Sequence, residues 1–143
     1  MSGLPNKQPI SHLTKDEQIA VIFERVAAYN QTHDTSKPLF FDTETTGGGR
    51  EDQIIEIAFC DSDRHVIIDT LIYTDRPSSP GAFKVHGIYP HELIGKPTYI
   101  DIQPAIVQLL KGRTLYAYNA SFDIRMMRQS GHKLRLQQVE VKW

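Results

Sequence analysis

Residues 40–49 read FFDTETTGGG, an apolar strand-like run that ends in two acidic side chains and three glycines. Side chains at positions i and i+2 of a strand lie on the same face, about 7 Å apart along the chain. Asp42 and Glu44 therefore converge, and Thr43 points to the opposite face. Two adjacent carboxylates repel each other unless a proton or a cation lies between them. The pair is either solvated at the end of a strand or part of a metal site.

Composition limits the class of protein. A chain of 143 residues fits one domain, and a hydrophobic content of 40% is enough for a core. No apolar run approaches the roughly 18 residues that span a bilayer, and residues 1–13 lack the regions of a signal peptide. Cys60 is the only cysteine, which excludes an internal disulfide and a cysteine-rich zinc site. A cytoplasmic protein with no membrane partner is the expectation.

Charge is distributed unevenly along the chain, although the net charge is only −1. Residues 39–110 hold 5 basic and 11 acidic side chains, whereas residues 111–143 hold 7 basic and 2 acidic ones. An acidic middle beside a basic end suits a cation site next to a phosphate track, with Arg125 and Arg128 as the expected contacts of single-stranded nucleic acid. Chance clustering on a polar surface is the alternative.

An amphipathic helix precedes the acidic strand. A Thr-x-x-Glu capping pattern begins at Thr14, and apolar residues follow it at helical spacing. The pattern predicts a helix over residues 15–29, which either packs on the flank of the domain or binds a separate partner. We therefore divide the chain into an N-terminal extension, residues 1–37, and a domain, residues 38–143.

Hydrophobic patterns predict a mixed α/β sheet flanked by helices. Three strand-like runs are joined by short turns, which makes them antiparallel neighbours. A surface segment rich in proline and glycine follows, then a helix, a strand that can lie parallel to a neighbour, a second helix and a fifth strand-like run. The expected bounds are 39–44, 53–60 and 65–73 for the first strands, 74–97 for the surface segment, near 101–112 for the helix, 114–119 for the parallel strand, 121–131 for the second helix and 139–143 for the last run.

Two motifs in this arrangement resemble those of a known family. FDTETTG at residues 41–47 and YNASFD at residues 118–123 resemble the first and second motifs of the DEDD superfamily of 3′–5′ exonucleases, in its DnaQ-like, proofreading-type branch. VHGIYPHEL at residues 85–93 is similar to the His-Gly-Ile stretch between them. The resemblance covers residues 38–143. It implies a ribonuclease H-like fold, a single-stranded 3′ end as substrate with DNA favoured over RNA, and a polymerase as a candidate partner.

The resemblance also implies a metal-dependent mechanism. Two Mg²⁺ or Mn²⁺ ions in a compact acidic cluster activate a water and neutralise charge on the attacking and leaving oxygens. In the family, the residues that match Asp42, Glu44 and Asp123 hold these ions, and Asp42 would bridge them. The three carboxylates are therefore the expected catalytic and metal-binding residues. Glu56 follows in the next strand, but its side-chain direction is ambiguous and it receives no catalytic role.

Five further residues are candidates for contacts with the terminal nucleotide. Thr45 and Thr46 either donate hydrogen bonds to it or only shape the turn. His86 resembles the family's histidine beside the nucleotide, although an isolated histidine is more often an ordinary loop residue. Asn119 either makes a hydrogen bond to the nucleotide or to the aspartate of its own motif, or caps the next helix. Phe122, also in the second motif, completes the expected substrate contacts.

The family's third motif has no counterpart in this sequence. That motif, a histidine followed five residues later by an aspartate, supplies the general base and the last carboxylate ligand. His132 does not replace it, because the residue five positions later is Gln137. Three explanations stay open: a shortened chain of a full exonuclease, which the strand-like end favours; a nuclease-derived module that binds metal or nucleic acid without cleaving; or a partner chain that supplies the last helix. We expect little activity from this chain alone.

Overall fold

Strands and helices alternate along the protein in the computed structural model, which describes residues 12–131 and 140–142. Within these residues there are five strands and four α-helices, and none of the helices is long and apolar enough to span a bilayer. The strands are β1 Leu39–Thr45, β2 Ile54–Asp61, β3 Val66–Leu71, β4 Thr114–Tyr116 and β5 Glu140–Lys142. The helices are α1 Lys15–Thr32, α2 Pro80–His86, α3 Tyr99–Leu110 and α4 Ala120–Ser130, with a 3-10 turn at Pro90–Leu93.

The strands form one mixed sheet in the order β3-β2-β1-β4-β5. β1 pairs antiparallel with β2, and β2 pairs antiparallel with β3, through the short connections that the sequence indicates. β4 follows α3 and pairs parallel with β1, and β5 pairs parallel with β4. The predicted mixed α/β sheet is confirmed, and β1, which carries the two acids, lies in its centre.

Helix α1 packs on the flank of the sheet. The predicted capping box is present: the Thr14 hydroxyl accepts a hydrogen bond from the backbone N–H of Glu17, and the Glu17 carboxylate accepts one from the backbone N–H of Thr14. Ile22, Val26 and Tyr29 are buried in the main hydrophobic core, and the helix contacts α3 and β3. Of the two alternatives for this helix, packing on the flank is the one observed.

Two segments differ from the expectation in extent. β4 stops at Tyr116, because the chain must turn before Asn119, which is already the N-cap of α4. The proline- and glycine-rich segment contains α2, which begins after the Ser79 N-cap with Pro80 in its first turn and ends at Gly87, where φ is 65°. Proline is tolerated in a first turn because its missing N–H has no helical partner there. The expected irregular surface therefore carries a helix.

Buried and more exposed side chains alternate along β1, so the strand has one face toward the core and one open face. Leu39 and Phe41 are buried in the main core together with apolar residues of α1, α3 and α4. Thr43 is buried as well, whereas Asp42 is exposed and Glu44 is partly buried. The predicted period of two is observed. The two acids therefore share the face of β1 that the core does not use.

Arg113 ties the α1–β1 connection to the end of α3 from inside the protein. It is 1% exposed. Its Nε donates to the carbonyl of Leu109 at 2.8 Å, and Nη1 donates to the carbonyls of Asp34 and Lys37 at 3.1 and 2.8 Å. Nη2 donates to Oδ1 of Asn30 at 2.8 Å. Because these partners occupy its guanidinium, Arg113 does not belong to the basic surface that the sequence suggests.

Candidate metal and nucleic-acid site

Asp42 and Glu44 lie near the end of β1, on the open face of the sheet. Asp42 is opposite Ala58 of β2, and Glu44 is opposite Glu56. The pairing shifts register directly after Glu44, as at a β-bulge, so regular pairing ends where the glycine loop, residues 46–53 between β1 and β2, begins. Sequence reasoning left the direction of Glu56 open, and the register places it beside Glu44. The direction of Glu56 follows from the pairing register of β1 and β2. The alternation of apolar and polar residues within β2 alone does not show which residue of β1 it faces.

Asp123 approaches the same edge from the core side. It lies in the first turn of α4, and only 5% of it is exposed. The hydroxyl of Thr43, which points to the core side of β1, donates a hydrogen bond to Oδ1 of Asp123. Thr43 thus joins the first motif to the second, across 80 positions of sequence. No local pattern indicates this contact.

Nearby negative charge influences the ionisation of Glu44 and Asp123. Burial, the charge of Asp42 and the charge of Asp123 all raise the pKa of Glu44. Burial and the charge of Asp42 raise the pKa of Asp123, against the hydrogen bond from Thr43, which lowers it. Burial and neighbouring acids, including Glu44, raise the pKa of Glu56 too. A divalent cation among these groups would relieve their mutual repulsion.

The ligand atoms of the three predicted metal ligands are less tightly gathered than in a closed metal site. Among the described residues, one group of His, Cys, Asp or Glu has three ligand atoms within 4.8 Å of one another, and it is a cluster described below. Asp42, Glu44 and Asp123 do not meet this distance. The donor set of Asp42, Glu44 and Asp123 still suits Mg²⁺ or Mn²⁺. These hard cations prefer oxygen, and Mg²⁺ binds through a few carboxylates while keeping several waters. The residues therefore fit the expected ions by their chemistry.

An open cleft of about 360 Å³ begins at Glu44. The end of β1, the glycine loop, α2 and α4 form its walls. Three of the five residues predicted to contact the nucleotide line it, namely Thr45, His86 and Phe122. Val85 also lines the cleft and is 79% exposed, so an apolar rim accompanies the polar groups. The fold thus brings three predicted substrate residues and one predicted metal ligand to a common surface.

Hydrogen bonds fix the neutral form of His86. Its Nδ1 accepts a hydrogen bond from the backbone N–H of Ile88 at 2.9 Å, so Nδ1 carries no proton. The proton of the neutral ring is then on Nε2, which lies 3.2 Å from Oγ of Ser78. Burial lowers the pKa of His86, against a hydrogen bond to the backbone of Thr45, which raises it. The ring of His86 in the cleft wall is therefore neutral, and its N–H is engaged by Ser78 and the backbone of Thr45.

Thr46 and Asp52 shape the glycine loop. Thr46 is fully buried; its hydroxyl donates to Oδ1 of Asp52 at 2.7 Å and accepts from the backbone N–H of Gln53 at 3.0 Å. Oδ2 of Asp52 accepts from the backbone N–H of Gly49 at 2.7 Å, and a Cβ at Gly47 would lie only 2.6 Å from Oδ2. Of the two roles open for Thr46, the structure favours shaping the turn, since in the described residues it is not part of the cleft wall.

Helix α4 holds the same loop from the other side. Nη2 of Arg125 donates to the carbonyl of Gly48 at 2.9 Å, and its guanidinium lies 5.4 Å from the ring centre of Phe122. Nε2 of Gln129 donates to a second carbonyl of the loop at 2.8 Å. Arg125 remains exposed at the edge of the cleft, and Arg128, the other predicted phosphate contact, is exposed as well. Both arginines are accessible to a phosphate backbone.

Asn119 lies outside the cleft wall. It is exposed as the N-cap residue of α4, but within the described part of the chain its side chain makes no capping hydrogen bond and does not line the cleft. Its hydrogen bond to the nucleotide or to the aspartate of its motif stays a prediction. His132, together with Lys133 and Arg135 of the basic end, lies outside the described residues.

Comparison with known sequences supports the same family. The family model RNase T, described as Exonuclease, matches residues 39–142. The chain is 35% identical over 92 residues to the uncharacterized exonuclease CP81 of Escherichia phage 186. It is 41% identical over 91 residues to DNA polymerase III subunit epsilon of Treponema pallidum (strain Nichols). These matches cover 64% and 61% of this chain but 47% and 42% of the relatives, so the chain spans less than half the length of these curated proteins.

Solved structures share the fold. E. coli exonuclease I in complex with a dT13 oligonucleotide is 28% identical, with a TM-score of 0.55 over 65% of this chain and 23% of that chain. The zinc-bound form of the E. coli exonuclease I complex with single-stranded DNA is 22% identical, with a TM-score of 0.58 over 76% and 28% of the two chains, and shows the fold alone. From the family match over residues 39–142 and the shared sheet, the chain belongs to the exonuclease family, as a DEDD 3′–5′ exonuclease domain of the DnaQ-like type.

Proposed function

We propose that the chain acts on the 3′ end of single-stranded DNA by a two-metal mechanism that uses Mg²⁺ or Mn²⁺. The observation that carries this proposal is the electrostatic coupling of Glu44, which lines the cleft, with Asp42 and Asp123 beside it. Carboxyls whose pKa values are raised by burial and by a neighbouring acid, beside a cleft, are candidates for a cation site. The family match supports the phosphodiester as the bond that is cleaved.

The three carboxylates have distinct roles in this proposal. Asp42, Glu44 and Asp123 would hold the ions, which when bound activate a water and neutralise charge at the scissile phosphate. The charge of Asp42 acts on both of the other carboxylates, which supports its role as the ligand shared between the two ions. Thr43 is a positioning residue: its hydrogen bond fixes the orientation of Asp123.

The walls of the cleft suit a terminal nucleotide. Phe122 offers a ring for base stacking, which is worth about 1–3 kcal/mol per base. His86 presents its neutral imidazole ring to the cleft, and Thr45, whose hydroxyl donates to the carbonyl of Gly47 at 2.9 Å, keeps its acceptor capacity at the end of β1. Arg125 and Arg128 offer positive charge to the phosphates that follow. The cleft therefore supplies stacking, hydrogen bonding and charge within one surface.

The printed descriptions of relatives support the substrate and the partner. One solved neighbour holds a dT13 oligonucleotide, which favours single-stranded DNA. One curated relative is a DNA polymerase subunit, which favours a polymerase as a partner of this chain. A cytoplasmic location stays a prediction, and it is consistent with the proposed action on DNA.

A binding module without catalysis is the second candidate. The sequence has no counterpart of the family's histidine base and last carboxylate. A chain with the metal ligands and the cleft, but without the base, would still bind single strands. Affinity without turnover is the result that separates this candidate from the enzyme.

Calorimetric titration of Mn²⁺ tests the metal site. Asp42→Ala should weaken Mn²⁺ binding by at least about tenfold, because partners that only orient a ligand already cost that much when removed. Asp75→Ala, which removes an exposed acid from the segment after β3, is the matched control and should bind like the unaltered chain. Equal affinities in Asp42→Ala and the unaltered chain would rule out this metal site.

Digestion of a 5′-labelled single-stranded oligonucleotide tests catalysis. The 143-residue chain should show little or no cleavage with Mn²⁺, since a positioned general base contributes about 10²–10⁴-fold. A longer chain that adds a His-x-x-x-x-Asp helix should release 5′-mononucleotides from the 3′ end, and Asp42→Ala should abolish this release. Robust cleavage by the shorter chain would mean that another residue or a partner supplies the base. Inactivity of the longer chain on both DNA and RNA would favour the binding module.

A further inference from the structure

Two histidines and one aspartate come together at the other end of the sheet. Asp61 ends β2 opposite Leu39, the first residue of β1. Glu44 lies five residues further along β1, so at about 3.4 Å per residue the two places are about 17 Å apart. His33 is the C-cap of α1, and His65 lies between β2 and β3. The cluster joins a helix to a hairpin and is separate from the proposed catalytic edge.

The spacing of the three side chains suits a metal ion. One ring nitrogen of His33, one of His65 and one carboxylate oxygen of Asp61 all lie within 4.8 Å of one another. Nδ1 of His65 is 3.1 Å from Oδ2 of Asp61. A tetrahedral ion with bonds of about 2.0–2.1 Å holds its ligand atoms about 3.3 Å apart. Two of the three groups therefore already have the spacing of ligands, and a movement of at most about 1.5 Å completes the set.

The surroundings hold these groups in position. Oδ1 of Asp61 accepts from the backbone N–H groups of Asp63 and His65 at 2.8 and 3.0 Å, and Oδ2 accepts from the hydroxyl of Tyr29 at 2.7 Å. The ring of His33 stacks on Tyr29 at 4.1 Å and meets the ring of His65 edge-on at 5.1 Å. Burial works to raise the pKa of Asp61, but these hydrogen bonds lower it to about 2, so the carboxylate is ionised at neutral pH. Both histidines are only partly buried, which leaves an ion a path.

We propose that His33, Asp61 and His65 bind Zn²⁺ and thereby tie the end of α1 to the β2–β3 hairpin. Two imidazole nitrogens and one carboxylate suit Zn²⁺, whereas Mg²⁺ prefers oxygen ligands. The ion takes the lone pair of Nδ1 of His65, and in the neutral ring the proton then sits on Nε2. Water fills the fourth position. The site goes beyond the proposed nuclease function, since its ligands lie outside both nuclease motifs.

Lys37 is the charged group that opposes an ion at this place. Its Nζ lies 3.7 Å from Oδ2 of Asp61 and also pairs with the carboxylate of Asp63. A doubly charged ion bound to Asp61 repels the ammonium of Lys37. Lys37 then turns away from Asp61 and keeps its ion pair with Asp63. Lys37→Met should therefore tighten Zn²⁺ binding several-fold. Unchanged or weaker binding in Lys37→Met would contradict the site.

Zinc titration of the full chain tests the ligands. Asp42→Asn combined with Glu44→Gln removes two carboxylates of the proposed catalytic edge, so that any Zn²⁺ bound at high affinity belongs elsewhere. In this background one Zn²⁺ per chain should remain, and His33→Gln or His65→Gln should each weaken its binding by at least about tenfold. His91→Gln, which alters an exposed histidine in the 3-10 turn, is the matched control and should leave the binding unchanged.

Nitrogen NMR of the histidine rings in the unaltered chain gives a measurement that does not depend on how the variants fold. One equivalent of Zn²⁺ should shift the ring-nitrogen signals of His33 and His65 and leave those of His91 in place, and Mg²⁺ should shift none of them. Unmoved signals at saturating Zn²⁺ would overturn the proposal. So would Zn²⁺ binding that is lost with the two catalytic-edge carboxylates, or a His33→Gln variant that binds as tightly as His91→Gln.

Discussion

Replacing Arg113 with methionine measures how much one buried guanidinium stabilises the fold. Methionine keeps an unbranched apolar stem and removes four hydrogen bonds: one to the buried carbonyl of Leu109, two to carbonyls of the α1–β1 connection and one to the side chain of Asn30 in α1. A buried acceptor left without a donor costs about 1–3 kcal/mol. Water replaces part of the loss at the other three, which leaves about 0.5–1 kcal/mol each. Arg113→Met should therefore lower the free energy of unfolding by about 3–5 kcal/mol.

Urea unfolding at pH 7, followed by circular dichroism, measures this loss. Lys111→Met is the matched control, because Lys111 is an exposed basic residue two positions earlier and its replacement should change the free energy by less than about 0.5 kcal/mol. The dependence of the free energy on urea should stay the same in both variants, since neither alters the surface exposed on unfolding. A loss below about 1 kcal/mol for Arg113→Met, with that dependence unchanged, would refute the reasoning, because the carbonyls would then need no donor from the protein.

Three further predictions concern the candidate site. Thr43→Val removes the hydroxyl that donates to Asp123, so the pKa of the Asp123 carboxyl should rise further. The affinity for Mn²⁺ at pH 7, measured by calorimetry, should fall about tenfold. An affinity equal to that of the unaltered chain would show that this hydrogen bond does not position Asp123. Arg125→Gln and Arg128→Gln should each reduce the slope of log affinity for single-stranded DNA against log salt by about one, and unchanged slopes would place the phosphate track elsewhere. The raised pKa values of Glu44 and Asp123 mean that these two carboxyls hold more protons in the metal-free folded chain than in the unfolded chain. The stability that these groups contribute is therefore present below their unfolded pKa values and lost as pH rises through the folded ones. In urea unfolding in EDTA from pH 4 to 7, the stability of the unaltered chain relative to Glu44→Gln should therefore fall as pH rises. A difference between the two chains that does not change with pH would contradict the coupling.

Local signals made several features of the fold predictable. The capping box at Thr14 set the start of α1, and the period of two along β1 set the direction of its acids. The same capping signal at Thr98 explains why α3 begins at Tyr99, ahead of the start near Asp101 that hydrophobic spacing indicates. The end of β4 was harder to predict, because strand-forming residues continue beyond Tyr116 while the turn into α4 is set by tertiary packing.

Long-range contacts of polar residues account for what the sequence did not indicate. Asp42 and Glu44 could be selected from alternation and Asp123 from its motif, although their roles as metal ligands stay predictions. The bond from Thr43 to Asp123 joins residues 80 positions apart, and the bond from Arg113 to the α1 side chain it meets spans 83. A basic residue in a basic region is ordinarily on the surface. Only the assembled sheet shows that Arg113 has exchanged water for backbone carbonyls.

β1 pairs on its two sides with strands that lie at very different distances along the chain. β2 and β3 follow after short connections, so this three-stranded meander can form early, since closing a short loop costs little entropy. Leu39 pairs with Leu115, 76 positions later, so the other side of β1 closes only when the chain beyond α3 docks. Asp42 and Glu44 are therefore in place with the first strands, whereas Asp123 arrives last, on the helix after β4. In a refolding experiment, the uptake of Mn²⁺ should coincide with the docking of β4 and α4 rather than with the initial collapse.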